Sequence, residues 1–177
     1  MNMSNNWQGS LTEIIKNQTD KALWEVKNVI DCVSDDLWSA EYCEMPLYKH
    51  IYHMLHSLDM WFINPFYNYE EPSIHIDNLN NLDVKTDKFI SRGDIEKYYH
   101  TIKHKIDSYL NSLQDNELLS CPTNSEYTRF TLIMAQHRHL HSHMGMLMGF
   151  IIQATRQWPT VLGLKGEIPK GNYNKFC

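Results

Sequence analysis

Apolar residues recur at helical spacing in four stretches of the chain. Leu11, Ile14, Ile15, Ala22, Leu23, Val26, Ile30 and Val33 form one stripe. This 3.6-residue period predicts a first helix over about residues 10–33. Ser10 and Glu13 have the S-x-x-E spacing of a capping box, in which each side chain satisfies the other residue's free backbone N–H. The run LYKHIYHMLHSLDMWFI behind Pro46 predicts a second helix over 47–63, with proline tolerated in its first turn and Asn64 and Pro65 as its stop. Ile95, Tyr98, Tyr99, Ile102, Ile106, Tyr109 and Leu113 predict a third over 92–113 that opens near Ser91, its solvated face carrying Glu96, Lys97, Lys103 and Lys105. A fourth, over 127–156 and capped near Asn124 or Ser125, is apolar nearly all round, which places it at the centre of the helices. Residues 157–177, punctuated by glycine and proline, read as an extended tail lying over them.

The segment between Asn64 and Ser91 is about 28 residues, far longer than a usual helix–helix connection. It is long enough to return along the helices, so that the second and third can run parallel, as in bundles with a crossover. Only seven glycines and six prolines break the sequence, which favours an all-α fold over a many-turned β fold. A length of 177 residues is enough for one well-buried core, so 1–177 is read as a single domain.

Charge removes some functions from consideration. The net charge is −5 and the lysines are scattered, whereas binding phosphates needs a concentrated cationic patch, so no nucleic-acid partner is expected. The opening MNMSNNWQGS has neither a basic cluster nor an apolar run, and no stretch is apolar enough to span a bilayer. No membrane association is expected, and the chain reads as cytoplasmic. Cys32, Cys43, Cys121 and Cys177 share no CxxC-like spacing and read as free thiols in a reducing compartment.

Candidate chemistry lies in the ten histidines, seven of which fall in two short runs. In HRHLHSH, positions 137, 139, 141 and 143 lie on a helix, where alternate residues turn by about 200°. They split into His137 with His141 and His139 with His143, two i, i+4 pairs on nearly opposite faces, and only one pair can converge on a given ion. An HxxxH pair supplies two imidazoles, and one more from another helix completes a three-histidine set with an open coordination position. The second helix offers His50, His53 and His56, among which spacing does not choose. Asp59, three residues after His56, has the reach to hold that imidazole as an acceptor or to serve as a base near a metal. Gln136 has similar reach toward His139. His75, in the long connection, is not expected to contribute.

The segment QHRHLHSHMGMLMGF resembles the final-helix signature HxxxHxGxL of the DinB/YfiT-like metal-binding four-helix bundles, through His139, His143, Gly145 and Leu147. HSLDMWF, from His56 to Phe62, is similar to that family's HxxDxxWF pattern. The order of the motifs, the capped first helix and the long connection also match. Met146 and Leu140 depart from the residues common there. The resemblance implies an up-down-down-up bundle with a metal held by His56, His139 and His143, and a homodimer. It also implies hydrolase-like activity or transfer of a low-molecular-weight thiol to a small-molecule substrate.

Two functions are thus expected from different classes. One is an enzyme using one divalent ion, zinc, nickel, iron or manganese, all of which accept imidazole, with a low-molecular-weight thiol as co-substrate. The other is a non-catalytic metal- or ligand-binding bundle with a stress-related role. A carboxylate-bridged di-iron centre is disfavoured, because the second and fourth helices lack the Glu-x-x-His pattern.

Overall fold

Ser10 opens the first helix as its spacing predicts. In a computed structural model describing residues 9–177, its hydroxyl accepts from the Glu13 N–H while Glu13 accepts from the Ser10 N–H. Helix α1 then runs Leu11–Cys32. The carboxylate of Asp115, far along the chain, accepts from the backbone N–H groups of Leu11 and Thr12, so two of the donors that every helix start leaves free are satisfied. Residues 1–8, on which the absence of a leader was read, lie outside the described residues.

The chain is mostly helical. After α1 come a one-turn helix α2, Asp35–Trp38, and a hairpin of two-residue strands, β1 Glu41–Tyr42 and β2 Met45–Pro46, paired antiparallel. The hairpin was not anticipated, being too short to show a period of two. Its turn carries Cys43 and Glu44 at positive φ. Helix α3 spans Leu47–Trp61, beginning directly behind Pro46 as expected, with that proline as its N-cap. Helix α4 spans Arg92–Ser112 behind the cap Ser91, whose hydroxyl accepts from the Asp94 N–H. Helix α5 spans Arg129–Thr155 and is capped by Thr128, not by Asn124 or Ser125.

Helices α3 and α1 each pack against both α4 and α5. Their apolar faces merge in one buried cluster that includes Leu23, Val26, Leu55, Ile102, Ile133 and Leu147. Truncating a fully buried leucine there, such as Leu55, removes its transfer free energy and leaves a cavity, a cost of about 2–5 kcal/mol.

The helix buried on most sides is α3, not α5 as the hydropathy suggested. Leu47 to Tyr52 are buried without a break, as are Met54, Leu55, His56, Leu58 and Asp59. Helix α5 buries the stripe Ile133, Gln136, Leu140, Met144, Leu147 and Ile151, while Met134, His141, Ser142, Gly145 and Gly149 on its other side are exposed. Polar histidine and serine and small glycine make that outer side less apolar than a residue count implies.

Residues 62–91 fold back over α3 and are held at several points. The buried Lys49 ammonium donates to the Val84 carbonyl, Lys88 to the Ile74 carbonyl at 2.6 Å, and the Trp38 indole N–H to the Ile90 carbonyl at 2.8 Å. Leu79 is fully buried. The tail lies on α1, where the Asn28 amide donates to the carbonyls of Thr160 and Lys175 and Glu25 accepts from the Leu162 N–H. No helix of the described residues is long and apolar enough to cross a membrane.

Candidate metal centre

A histidine can offer a lone pair to a cation only from the ring nitrogen that carries no hydrogen, and the group bonded to the other nitrogen decides which that is. On α3, the Nε2 of His50 lies 2.7 Å from the carbonyl of Tyr42 in β1. A carbonyl only accepts, so that Nε2 bears the hydrogen and is committed to the hairpin. For His53 the arrangement is reversed. Its Nδ1 donates to the Asn80 carbonyl at 2.6 Å, which leaves the Nε2 lone pair free and aims it at α5. This is how proteins orient an imidazole that binds metal, with the remote N–H held by a backbone carbonyl.

Opposite His53, the i, i+4 spacing of His139 and His143 brings their Nε2 atoms to 3.0 Å from each other. The Nε2 of His143 is also 3.2 Å from that of His53. Two nitrogens bound to one ion at about 2.05 Å are about 3.3 Å apart at a tetrahedral angle and about 2.9 Å apart at a right angle. The observed separations fall between these limits. A single ring nitrogen with one lone pair or one hydrogen cannot bond well to two others, whereas three lone pairs directed at one cation account for the arrangement. The residues therefore fit the ion implied by the resemblance.

Electrostatics keep two of the three rings ready for that role. Burial pushes His143 down to about 4, helped by the neighbouring His53, His139 and His50, and lowers His139, with His53 and Arg138 adding to the shift. Both are neutral at pH 7, the form that coordinates. The Nδ1 atoms of His139 and His143 are buried and bond to no protein group, so only His53 has its outer nitrogen anchored.

The trio expected from the sequence, His56, His139 and His143, is not the one brought together. His139 and His143 meet, and His53 takes the place expected of His56. His56, one turn further along α3, is buried with its Nε2 2.7 Å from Glu71 Oε2 and belongs to a separate group with Glu71 and His75. Asp59 makes no hydrogen bond with His56. Its carboxylate accepts from the Tyr98 hydroxyl at 3.0 Å and pairs with the Lys105 ammonium at 2.6 Å. Gln136 is buried beside Ser57, whose hydroxyl lies 3.5 Å from its carbonyl oxygen.

Sequence reasoning did not favour His53, set His75 aside and did not consider Glu71. Helical spacing kept His53 among the candidates, but the bond that selects it comes from Asn80, 27 positions away, which no local pattern shows. Matching the chain against models of protein families, curated proteins and solved structures gives no match.

Proposed function

We propose that the chain is a four-helix bundle of the DinB/YfiT-like kind, running up-down-down-up, in which His53, His139 and His143 hold one divalent ion such as zinc, nickel, iron or manganese. In this reading it is a metal-dependent enzyme acting on a small molecule, either hydrolase-like or a transferase of a low-molecular-weight thiol. The observation that carries the reading is the meeting of three Nε2 atoms at 3.0 and 3.2 Å, with one of them fixed as a lone pair by the Asn80 carbonyl.

Three neutral imidazoles leave a bound ion its full charge and an open position, and such an ion supplies Lewis acidity and favours the thiolate form of a bound thiol. The chain's own part is to orient His53 through Asn80 and to keep His139 and His143 unprotonated by burial.

The non-catalytic reading draws support from Asp59. The acid or base expected beside the metal is engaged by Lys105 and Tyr98. Incubating zinc-loaded protein with a low-molecular-weight thiol and a panel of electrophiles and esters separates the two readings. Turnover that stops on chelation and in His143→Ala, with the helical circular dichroism retained, supports the enzyme. Stoichiometric zinc without turnover favours the binding protein, and turnover indifferent to chelation contradicts both.

A further inference from the structure

We propose a second divalent-cation site, formed by His56 of α3 with Glu71 and His75 of the connection between α3 and α4. It shares no residue with the three-histidine group and does not depend on it. Glu71 Oε2 lies 2.7 Å from His56 Nε2 and 3.8 Å from His75 Nδ1, and the three donor atoms lie within 4.8 Å of one another. The two imidazoles face each other with ring centroids 5.0 Å apart and planes inclined by 28°.

The distances suit a small ion. Nitrogen and carboxylate oxygen bound at about 2.1 Å are separated by about 3.0–3.4 Å, so the two Glu71 separations, 2.7 and 3.8 Å, each lie within about 0.4 Å of that range. Glu71 has the freedom to make up that difference, since its side chain is 47% exposed while that of His56 is 3% exposed. Two imidazoles and one carboxylate select a divalent transition ion, because calcium and magnesium take oxygen ligands.

The surroundings are built rather than incidental. The Tyr69 hydroxyl donates to Glu71 Oε2 at 3.2 Å and lies 3.3 Å from His56 Nε2, and the Tyr52 hydroxyl lies 2.8 Å from His75 Nδ1. Tyr69 can go on donating to the carboxylate lone pairs that an ion leaves free, whereas the Tyr52 hydroxyl turns aside when an ion takes the single lone pair of His75 Nδ1. The hydrogen between His56 and Glu71 gives way to the ion by moving to Nδ1 of the same ring, which leaves the imidazole neutral. Glu71 also lines a cavity of about 510 Å³.

The test is zinc stoichiometry of the full chain, measured by elemental analysis after equilibrium dialysis against a zinc buffer. Because His56 is buried, the substitutions are placed on the connection as Glu71→Gln and, independently, His75→Gln, with helicity checked by circular dichroism. The expected result is two zinc ions per chain, reduced to one by either substitution. His143→Ala is also expected to leave one, and its combination with Glu71→Gln none. A wild-type content that neither Glu71→Gln nor His75→Gln lowers overturns the second site. A single ion lost in Glu71→Gln but kept in His143→Ala upholds this site and overturns the three-histidine reading. No bound zinc overturns both.

Discussion

Helix α5 carries two histidine pairs of the same i, i+4 spacing whose surroundings give them different chemistry. His139 and His143 turn their Nε2 atoms to each other and to His53 of α3. His137 meets α1 instead, with its Nε2 2.9 Å from the Thr19 hydroxyl. That hydroxyl gives its only hydrogen to the Ile15 carbonyl, so it accepts from His137, whose Nε2 therefore bears a hydrogen. His141 donates from Nδ1 to the His137 carbonyl and is exposed. One pair turns its Nε2 atoms to a common point with His53 while the other is used in local hydrogen bonds. An HxxxH spacing is thus necessary for a two-imidazole site but does not make one. The groups that face each pair, His53 held by the Asn80 carbonyl on one side and Thr19 on the other, decide.

The largest expected effect breaks the comparison directly. Removing a ligand by His143→Ala should weaken zinc binding at the three-histidine group by more than about 100-fold, beyond the 10–100-fold that loss of a supporting hydrogen bond costs. His141→Ala, on the same helix, should leave it unchanged. Isothermal titration of chelator-treated protein reads both, and equal losses would mean that the pairs are not distinct.

A smaller effect sharpens the other side. Thr19→Val keeps the shape of the side chain but strands the His137 N–H in a largely buried position. It should lower stability by about 1–3 kcal/mol in denaturant titration with zinc affinity unaltered. Altered zinc affinity would show that His137 is coupled to the centre.

Much of the scaffold was legible in local pattern. Ser10 and Glu13 announced the start of α1, Ser91 that of α4, and the stripes of α1 and α4 located their buried faces, because caps and periodicity are decided within a turn or two. Chain order also made the connection before α4 conspicuous. Its contents were not legible, because Glu71, His75 and Asn80 acquire roles only when residues 62–91 fold back on α3.

The choice between His53 and His56 shows the same limit in one pair. Three residues turn a helix by about 300°, so the two side chains point only about 60° apart, a difference that periodicity does not resolve. What separates them is the rotation of α3 against α5 and the partner on each ring, a carbonyl behind His53 and a carboxylate in front of His56. Asp59 was misread for a related reason. Its spacing from His56 suits a bond between them, but Tyr98 and Lys105 of α4 reach its carboxylate instead.

The most direct test is a crystal structure of the zinc-loaded protein with anomalous data collected on both sides of the zinc absorption edge. The predicted result is an anomalous peak about 2.0–2.1 Å from the Nε2 atoms of His53, His139 and His143. A peak bonded to His56 together with His139 and His143, or no peak between α3 and α5 in fully loaded crystals, would contradict the account.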